Sequence, residues 1–226
     1  MAGVLLLLWG ADSLARVGAE SLLERNIQSA AGAAERPEVT VRGRFFLPQV
    51  IRGSYDEVDV TTRGITSGPL RVDRLDSQLL DVRVPFHDVL VQDVRRIGVG
   101  QSTEDVAITY PDLNAYFDAT GRPLEVAPAD DGLVTITGKV DVLGRSLQAS
   151  ADVELTAEDG SLRLTPRHMD TASGDLDRAS RLLLRQRLSL TVPLGSLPFG
   201  HDLTRVTPTP DGIQATAVGS AVIVEP

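Results

Sequence analysis

The chain contains no cysteine and few aromatic residues. Without cysteine there are no disulfides, no thiolate metal ligands and no cysteine nucleophiles, although many exported bacterial proteins also lack cysteine. Aromatic residues make up only 4% of the chain. Platforms on which bases or sugars stack would therefore rest on very few rings.

Lysine is almost absent as well. Lys139 is the one lysine among 22 basic residues, and the formal charge is −9. No block of basic residues occurs. Because nucleic-acid affinity depends mainly on neutralising phosphates, this composition predicts no nucleic-acid partner. It leaves open a local arginine contact with a single lipid phosphate.

Motifs of catalysis and metal binding are missing too. The histidines His87, His168 and His201 are far apart, and none has the spacing of a zinc motif. No G-x-S-x-G nucleophile elbow is present. Neighbouring carboxylates occur where turns or strand ends are expected, which is typical of solvated residues rather than a glycosidase pair. The sequence predicts no catalytic residue, no metal, no cofactor and no enzymatic activity.

The amino terminus carries the one apolar run that resembles a targeting segment. Ala2–Trp9 has the length of a signal-peptide core but is too short to span a bilayer, and no Lys or Arg precedes it. Periodicity from 11 to 32 favours a helix. We therefore expect a signal-like or anchor-like remnant over 1–10 and a single domain over 11–226. The protein would be exported or anchored in the envelope.

From Glu38 onward the apolar period changes from helical to two, which predicts strands. The segment 70–84 is long enough for a strand that bends or carries a bulge. A hairpin is expected over 133–155 and a closing strand over 212–224. Helices are predicted from Pro111 to Gly121 and over 175–190. The fold class is α+β, with a long, curved, mainly antiparallel sheet wrapped around amphipathic helices.

Two apolar segments, Phe45–Ile51 and Leu197–Gly200, are interpreted as loops, and exposed apolar loops often mark membrane contact or a ligand entrance. One acyl chain of about sixteen carbons offers roughly 10 kcal/mol of gross transfer energy, so few polar contacts are needed. Three arginines flanking the first loop are candidates for the head group: Arg42, Arg44 and Arg52. The candidate lipid-binding residues are Phe45, Phe46, Leu47, Val50, Ile51, Tyr116, Phe117, Leu183, Leu197 and Phe199.

Five segments are distinctive in their order and spacing: GRFFLPQVIRGSYDEVDV (43–60), GPLRVDRL (68–75), DVRVP (81–85), LPFG (197–200) and DGIQATAVG (211–219). Together they resemble the LmeA-type family of actinobacterial cell-envelope proteins, and the likeness runs from Glu38 to Pro226.

The resemblance implies a phospholipid-binding protein that is exported across the inner membrane or anchored to its outer face. It also implies that 11–226 is a single lipid-binding domain, with a curved sheet around a helix and an apolar groove. It supplies no catalytic residues. The sequence thus favours a non-enzymatic protein that binds or shuttles phospholipid at the membrane surface of the cell envelope. An envelope scaffold that docks a partner protein through its apolar loops is the alternative.

Overall fold

A computed structural model describes residues 2–31, 35–85, 97–122, 124–142, 145–158, 160–171, 178–194 and 203–224. Within these ranges the chain forms four helices and antiparallel sheets, which confirms the predicted α+β class. The helices are α1 (Ala2–Ala31), α2 (Phe46–Arg52), α3 (Tyr110–Ala119) and α4 (Arg178–Leu188).

The strands form two sheets, one of them strongly curled. The first sheet has six strands in the order β1-β2-β3-β4-β11-β10, and the second has five in the order β5-β6-β7-β8-β9. The strands are β1 (Glu38–Arg42), β2 (Ser54–Ser67), β3 (Leu70–Arg83), β4 (Ile97–Thr109), β5 (Leu124–Pro128), β6 (Val134–Val142), β7 (Arg145–Glu158), β8 (Ser161–Thr171), β9 (Leu190–Pro193), β10 (Leu203–Pro208) and β11 (Gly212–Val224).

The chain's internal contacts divide it into two compact units. Unit 1 comprises Met1–Ile65, Arg74–Asp105 and Val218–Pro226, and unit 2 comprises Thr66–Asp73 and Val106–Ala217. The single domain expected over 11–226 stays a prediction.

Alternation of apolar and polar residues builds the core of each unit. In unit 1, Val39 and Val41 of β1 are buried while their neighbours along the strand are exposed. In unit 2, Val134 and Ile136 of β6 pair with Val153 and Ala151 of β7, and all four are buried. This pairing confirms the predicted hairpin. It also shows the half-buried strand pattern that the period of two indicated.

The sequence signals at the ends of α3 are confirmed. The side chain of Thr109 caps the helix by accepting the backbone N–H of Asp112 at 3.2 Å, and Pro111 lies in the first turn. A proline is tolerated there because the first amides of a helix have no intrahelical partner. Gly121 follows the helix with a φ of 72°, a left-handed conformation that suits glycine.

Other boundaries differ from the sequence analysis. The segment Phe45–Ile51, expected to be a loop, is helical from Phe46 onward and belongs to α2. The described part of the late helix runs from Arg178 to Leu188, and Leu190 begins β9 instead of ending the helix. In the long strand β3, Asp81 has a φ of 52° near the end of the strand, and the expected bend or bulge stays a prediction. The closing strand β11 has the predicted bounds, Gly212–Val224.

Candidate functional site

A carboxylate on α1 caps α2 in unit 1. Asp12 Oδ2 accepts the backbone N–H of Phe46 at 2.9 Å, and its Oδ1 accepts that of Leu47 at 2.7 Å. The first amides of a helix lack partners within the helix, and Phe45, at the N-cap position, makes no side-chain hydrogen bond to them. Asp12 therefore performs the capping from a different helix, and so fixes α2 against α1.

The surroundings of Asp12 favour the ionised form of its carboxyl. Burial raises the pKa of its carboxyl, but the hydrogen bonds from Phe46 and Leu47 and the positive charge of Arg16 outweigh that effect. The net result is a pKa below its ordinary value of 3.8. Arg16 also donates to the carbonyl oxygen of Gly43 at 3.0 Å. The junction of α1 and α2 thus depends on an ionised aspartate.

The side of α1 that faces the rest of unit 1 is polar. Besides Asp12 and Arg16, Glu20 uses Oε1 to accept the backbone N–H of Val41 at 2.8 Å. These three positions recur every four residues, so they share one face of the helix. Helices on a protein surface normally turn an apolar stripe inward. At these three positions of α1 the inward contacts are hydrogen bonds.

Several large apolar residues in the described part of α1 are exposed instead. Leu14 is 77% exposed, and Val17 and Leu22 lie on the side of the helix away from the Asp12–Glu20 face. We call Leu14, Val17 and Leu22 the outer face of α1. Burying side chains of this size is worth roughly 1.5–3 kcal/mol each. Because these side chains are exposed in the isolated chain, that free energy would be gained if they were buried against another apolar phase.

The helix α2 exposes apolar side chains as well. Leu47 and Ile51 are one helical turn apart and share an exposed face, and Ile51 is 68% exposed. Phe45, just before the helix, is 49% exposed. Trp9 lies three residues before Asp12, on the side of α1 that meets the start of α2, and is also exposed. We call Trp9, Phe45, Leu47 and Ile51 the α1–α2 apolar surface.

Phe46 and Val50 differ from these neighbours. Phe46 is only 5% exposed, and its ring centroid lies 6.3 Å from that of Tyr55. Val50 is half-buried. The expectation that Phe46 belongs to an exposed loop is wrong, because the segment folds into a helix that turns this ring into unit 1. Its predicted role in lipid binding stays a prediction.

The buried side chain of Gln49 holds α2 in place through hydrogen bonds to the backbone around it. Its Nε2 donates to the carbonyl oxygens of Arg42 at 3.2 Å and Phe45 at 3.0 Å, and its Oε1 accepts the backbone N–H of Asp56 at 2.9 Å. Gly43, with a φ of 122°, makes room for this amide, since a Cβ there would collide with it. One side chain thus satisfies backbone groups on both sides of α2.

The three arginines proposed for the head group have different surroundings. The Arg44 guanidinium lies 5.9 Å from the centroid of the Phe45 ring. Arg52 donates from Nε to the carbonyl oxygen of Pro48 at 3.1 Å. Arg42 forms ion pairs with Asp59 and with Glu57, the latter at 3.4 Å. Only Arg44 and Arg52 therefore lie beside the exposed apolar side chains with no carboxylate paired to them among the described residues.

The other predicted site residues belong to unit 2 or lie outside the described residues. Tyr116 and Phe117 are buried in α3, with their ring centroids 5.6 Å apart in an edge-on arrangement. Leu183 is half-buried on α4. Leu197 and Phe199 lie outside the described ranges. Their assignment to lipid binding stays a prediction.

Two cavities formed by described residues are mainly polar. One in unit 1, of about 410 Å³, is lined by Glu38, Thr40, Arg42, Asp59, Val60, Thr61, Arg74, Asp76, Ser77, Gln78, Thr103 and Asp105. One in unit 2, of about 400 Å³, is lined by Ala129, Asp130, Asp131, Leu133, Thr135, Asp152 and His168. Neither has the hydrocarbon lining of the predicted acyl-chain groove. In the described part of unit 1, apolar side chains are exposed on the surface of α1 and α2.

Sequence reasoning missed a set of buried polar side chains. Thr62, Ser77, Ser102 and Glu104 of unit 1 occupy buried positions on β2, β3 and β4. The signal was present in β3, where Ser77 falls between the buried Leu75 and Leu79 in the apolar phase of the alternation. The roles of Asp12 and Gln49 had no comparable local signal, because their partners are distant in sequence.

Within the described ranges, no helix combines the length and the apolar character needed to cross a membrane. The same ranges contain no group of three or more histidine, aspartate or glutamate side chains arranged to hold a metal ion.

Comparison with known families gives one match. The family model described as LmeA-like phospholipid-binding matches residues 10–218 of the 226, which confirms the resemblance seen in the sequence. No curated protein matches the chain.

Proposed function

We propose that this chain, which belongs to the LmeA-like phospholipid-binding family, binds phospholipid by placing acyl chains against the exposed apolar side chains of α1 and α2. The role is non-enzymatic: the lipid is held or shuttled in the cell envelope, at the outer face of the inner membrane, and leaves chemically unchanged. The family itself supports lipid binding. The surface, the shuttling and the location are our proposal.

The inverted orientation of α1 is the observation that carries this proposal. A helix that uses Asp12, Arg16 and Glu20 for its inward contacts leaves Leu14, Val17 and Leu22 in water. That arrangement is unfavourable for a protein surrounded only by water. It is favourable where hydrocarbon covers the outer face, because roughly 25 cal/mol is gained for each Å² of apolar area removed from water.

The α1–α2 apolar surface combines this feature with suitable polar neighbours. Trp9 and Phe45 are aromatic, and tryptophan favours the boundary between hydrocarbon and head groups. Arg44 and Arg52 lie at the two ends of α2, where a guanidinium can pair with a lipid phosphate through two parallel hydrogen bonds. We assign the head-group role to these two arginines and not to Arg42, whose charge is paired with Asp59 and Glu57.

The experiment compares the wild type with Leu47→Asp/Ile51→Asp. Both side chains are exposed, so the variant should stay folded, as circular dichroism would show. Native mass spectrometry after incubation with a bacterial phospholipid mixture should show at least a tenfold loss of bound lipid. Val218→Asp is the control, because it places a new carboxylate at an exposed apolar position on β11. Equal lipid binding by the wild type and the double variant would refute the assignment to this surface.

The non-enzymatic part is tested separately. The wild type incubated with the same lipids should release no free fatty acid and no head group over hours. A phospholipid product that appears with the wild-type protein and not with heat-denatured protein would overturn this part.

A second candidate function, an envelope scaffold, is favoured by the contrast between polar cavities and an apolar exterior. The same exposed side chains would then dock a partner protein. Two results together distinguish it. If the protein is a scaffold, the wild type purified from its source membranes should carry no phospholipid. A partner protein should also cross-link to the wild type and fail to cross-link to the Leu47→Asp/Ile51→Asp variant. Co-purified phospholipid that the variant loses supports lipid binding.

A further inference from the structure

The helix α4 of unit 2 concentrates positive charge. Over Arg178–Leu188 it carries four arginines and no acidic residue, in a chain whose formal charge is −9. The acidic residues Asp175 and Asp177 precede it in the sequence but lie outside the described ranges. A short cationic helix on an acidic protein calls for a physical explanation.

The two sides of α4 are sharply different. Leu184 and Leu188, four residues apart, are buried, and the helix packs on β6 and β8. Arg178, Leu182 and Arg185 follow the spacing i, i+4, i+7 on another side, and all three are exposed. Leu182 is 68% exposed between the two arginines. We call Arg178, Leu182 and Arg185 the α4 stripe.

Packing within unit 2 does not account for this stripe. Leu182 is 68% exposed, so its side chain gains little free energy from burial in the isolated protein. Arg185, in the last turn of α4, interacts favourably with the partial negative charge at the carboxyl end of a helix, but its side chain is exposed. A negatively charged partner with an apolar layer would contact all three side chains favourably.

We infer that the α4 stripe docks unit 2 onto the surface of a bilayer that contains anionic phospholipid. This inference rests on the proposed function and adds where the protein meets the membrane. Arg178 and Arg185 contact lipid phosphates, and Leu182 enters the boundary between head groups and acyl chains. Because a chain of net charge −9 is repelled by an anionic surface as a whole, a local cationic stripe also sets which side approaches.

The central leucine favours a bilayer over a nucleic acid. Phosphates of a nucleic acid would satisfy the two arginines but offer nothing for Leu182, and a stacking partner for bases would be aromatic. A bilayer satisfies all three side chains at once.

The test uses the full chain and vesicles of two compositions, phosphatidylcholine alone and phosphatidylcholine with about 30% phosphatidylglycerol, which gives the surface a negative potential. Flotation should show stronger attachment of the wild type to the anionic vesicles, weakening as salt is raised. Arg178→Gln/Arg185→Gln should attach about 25-fold more weakly, from roughly fivefold for each arginine near the surface. Leu182→Ser should weaken attachment to both compositions.

Arg163→Gln/Arg167→Gln is the matched control. This variant removes two exposed arginines of unit 2 that are paired with Glu158 and Glu154. Its net charge therefore changes by the same amount as that of the α4 variant. We expect it to attach to the vesicles as the wild type does. Equal attachment of the α4 variant and the wild type would overturn the inference. So would a wild type that ignores vesicle charge, or one that prefers a single-stranded oligonucleotide to anionic vesicles.

Failure of this inference and failure of the proposed function are distinguishable. Lipid bound by the protein in solution is measured by native mass spectrometry for the same α4 variant. We expect unchanged lipid binding together with lost vesicle attachment. A wild type that carries no lipid but attaches to anionic vesicles through α4 would refute the proposed function and leave the docking site standing. Lipid binding lost together with attachment would overturn a separate docking role for α4.

Discussion

The carboxylate of Asp12 accepts the backbone N–H of Phe46 at 2.9 Å, although 34 positions separate the two residues in sequence. This hydrogen bond joins the helix that turns apolar side chains outward to the helix that carries Leu47 and Ile51. The arrangement makes one ionised side chain responsible for the geometry of the α1–α2 apolar surface. Its consequences for stability and for lipid binding can be measured separately.

Replacing Asp12 with alanine should destabilise unit 1. The first amides of α2 would lose their acceptor, and loss of a capping side chain costs about 1 kcal/mol of unfolding free energy. Urea denaturation measures the loss, and amide exchange should show faster opening at Phe46 and Leu47. Asp118→Ala, an exposed change on α3, serves as the control. Unchanged exchange at α2 in Asp12→Ala would show that the cap does not hold this junction.

The contribution of Asp12 should depend on pH in the acid range. Its pKa in the folded chain lies below the ordinary value of 3.8, because the amides of Phe46 and Leu47 and the charge of Arg16 outweigh the opposing effect of burial. The stabilisation is therefore complete above that value and is lost as the pH falls through the lower folded value. The unfolding free energies of wild type and Asp12→Asn should differ at neutral pH and converge below pH 3.8. A difference that persists down to pH 2 would contradict this origin.

Truncation to alanine should destabilise the protein at Phe46 and leave its stability nearly unchanged at the adjacent Phe45. Phe46→Ala removes a buried ring that packs beside Tyr55 and should cost roughly 3 to 5 kcal/mol. Phe45→Ala removes an exposed ring, so the unfolding free energy should change by about 0.5 kcal/mol or less. Lipid binding should nevertheless fall in Phe45→Ala. Denaturation of both variants measures the unfolding free energy, and native mass spectrometry measures the bound lipid. A Phe46→Ala variant as stable as the wild type would contradict the burial argument.

Gln49→Ala should be more damaging than its polar character suggests. The change removes three hydrogen bonds and leaves the carbonyl oxygens of Arg42 and Phe45 and the amide of Asp56 without that partner. Leaving buried polar groups unsatisfied costs about 1–3 kcal/mol each, so we expect a loss of at least about 2 kcal/mol. Gln78→Ala is the control, since its side chain is exposed and donates to Glu57 Oε1 at 2.8 Å. Similar denaturation midpoints for the two variants would refute the central role of Gln49.

Much of the secondary structure could be predicted because its signals are local. The apolar alternation placed β3 and the β6–β7 hairpin, and the Pro-Asp-Gly turn placed the start of β11 at Gly212. Pro111 and Gly121 marked the ends of α3 within a residue or two. Each of these signals acts between neighbours in the chain, so no knowledge of distant residues was needed.

The conformation of 46–52 could not be predicted in the same way. Seven mostly apolar residues with a proline are too few for a helical period to be distinguished from a loop. The helix exists because Asp12 caps its start and Gln49 satisfies the backbone around it. Both contacts depend on residues that the fold brings together.

The sequence by itself determined the α+β class, most strand positions and the family, because alternation, turn residues and short motifs are written along the chain. The tertiary structure alone decided which apolar residues face water. Burial depends on what packs against a helix, so only the fold reveals that α1 uses its polar side for internal contacts and leaves Leu14 exposed. It also separates Phe45 from Phe46, which are chemically identical neighbours with opposite surroundings.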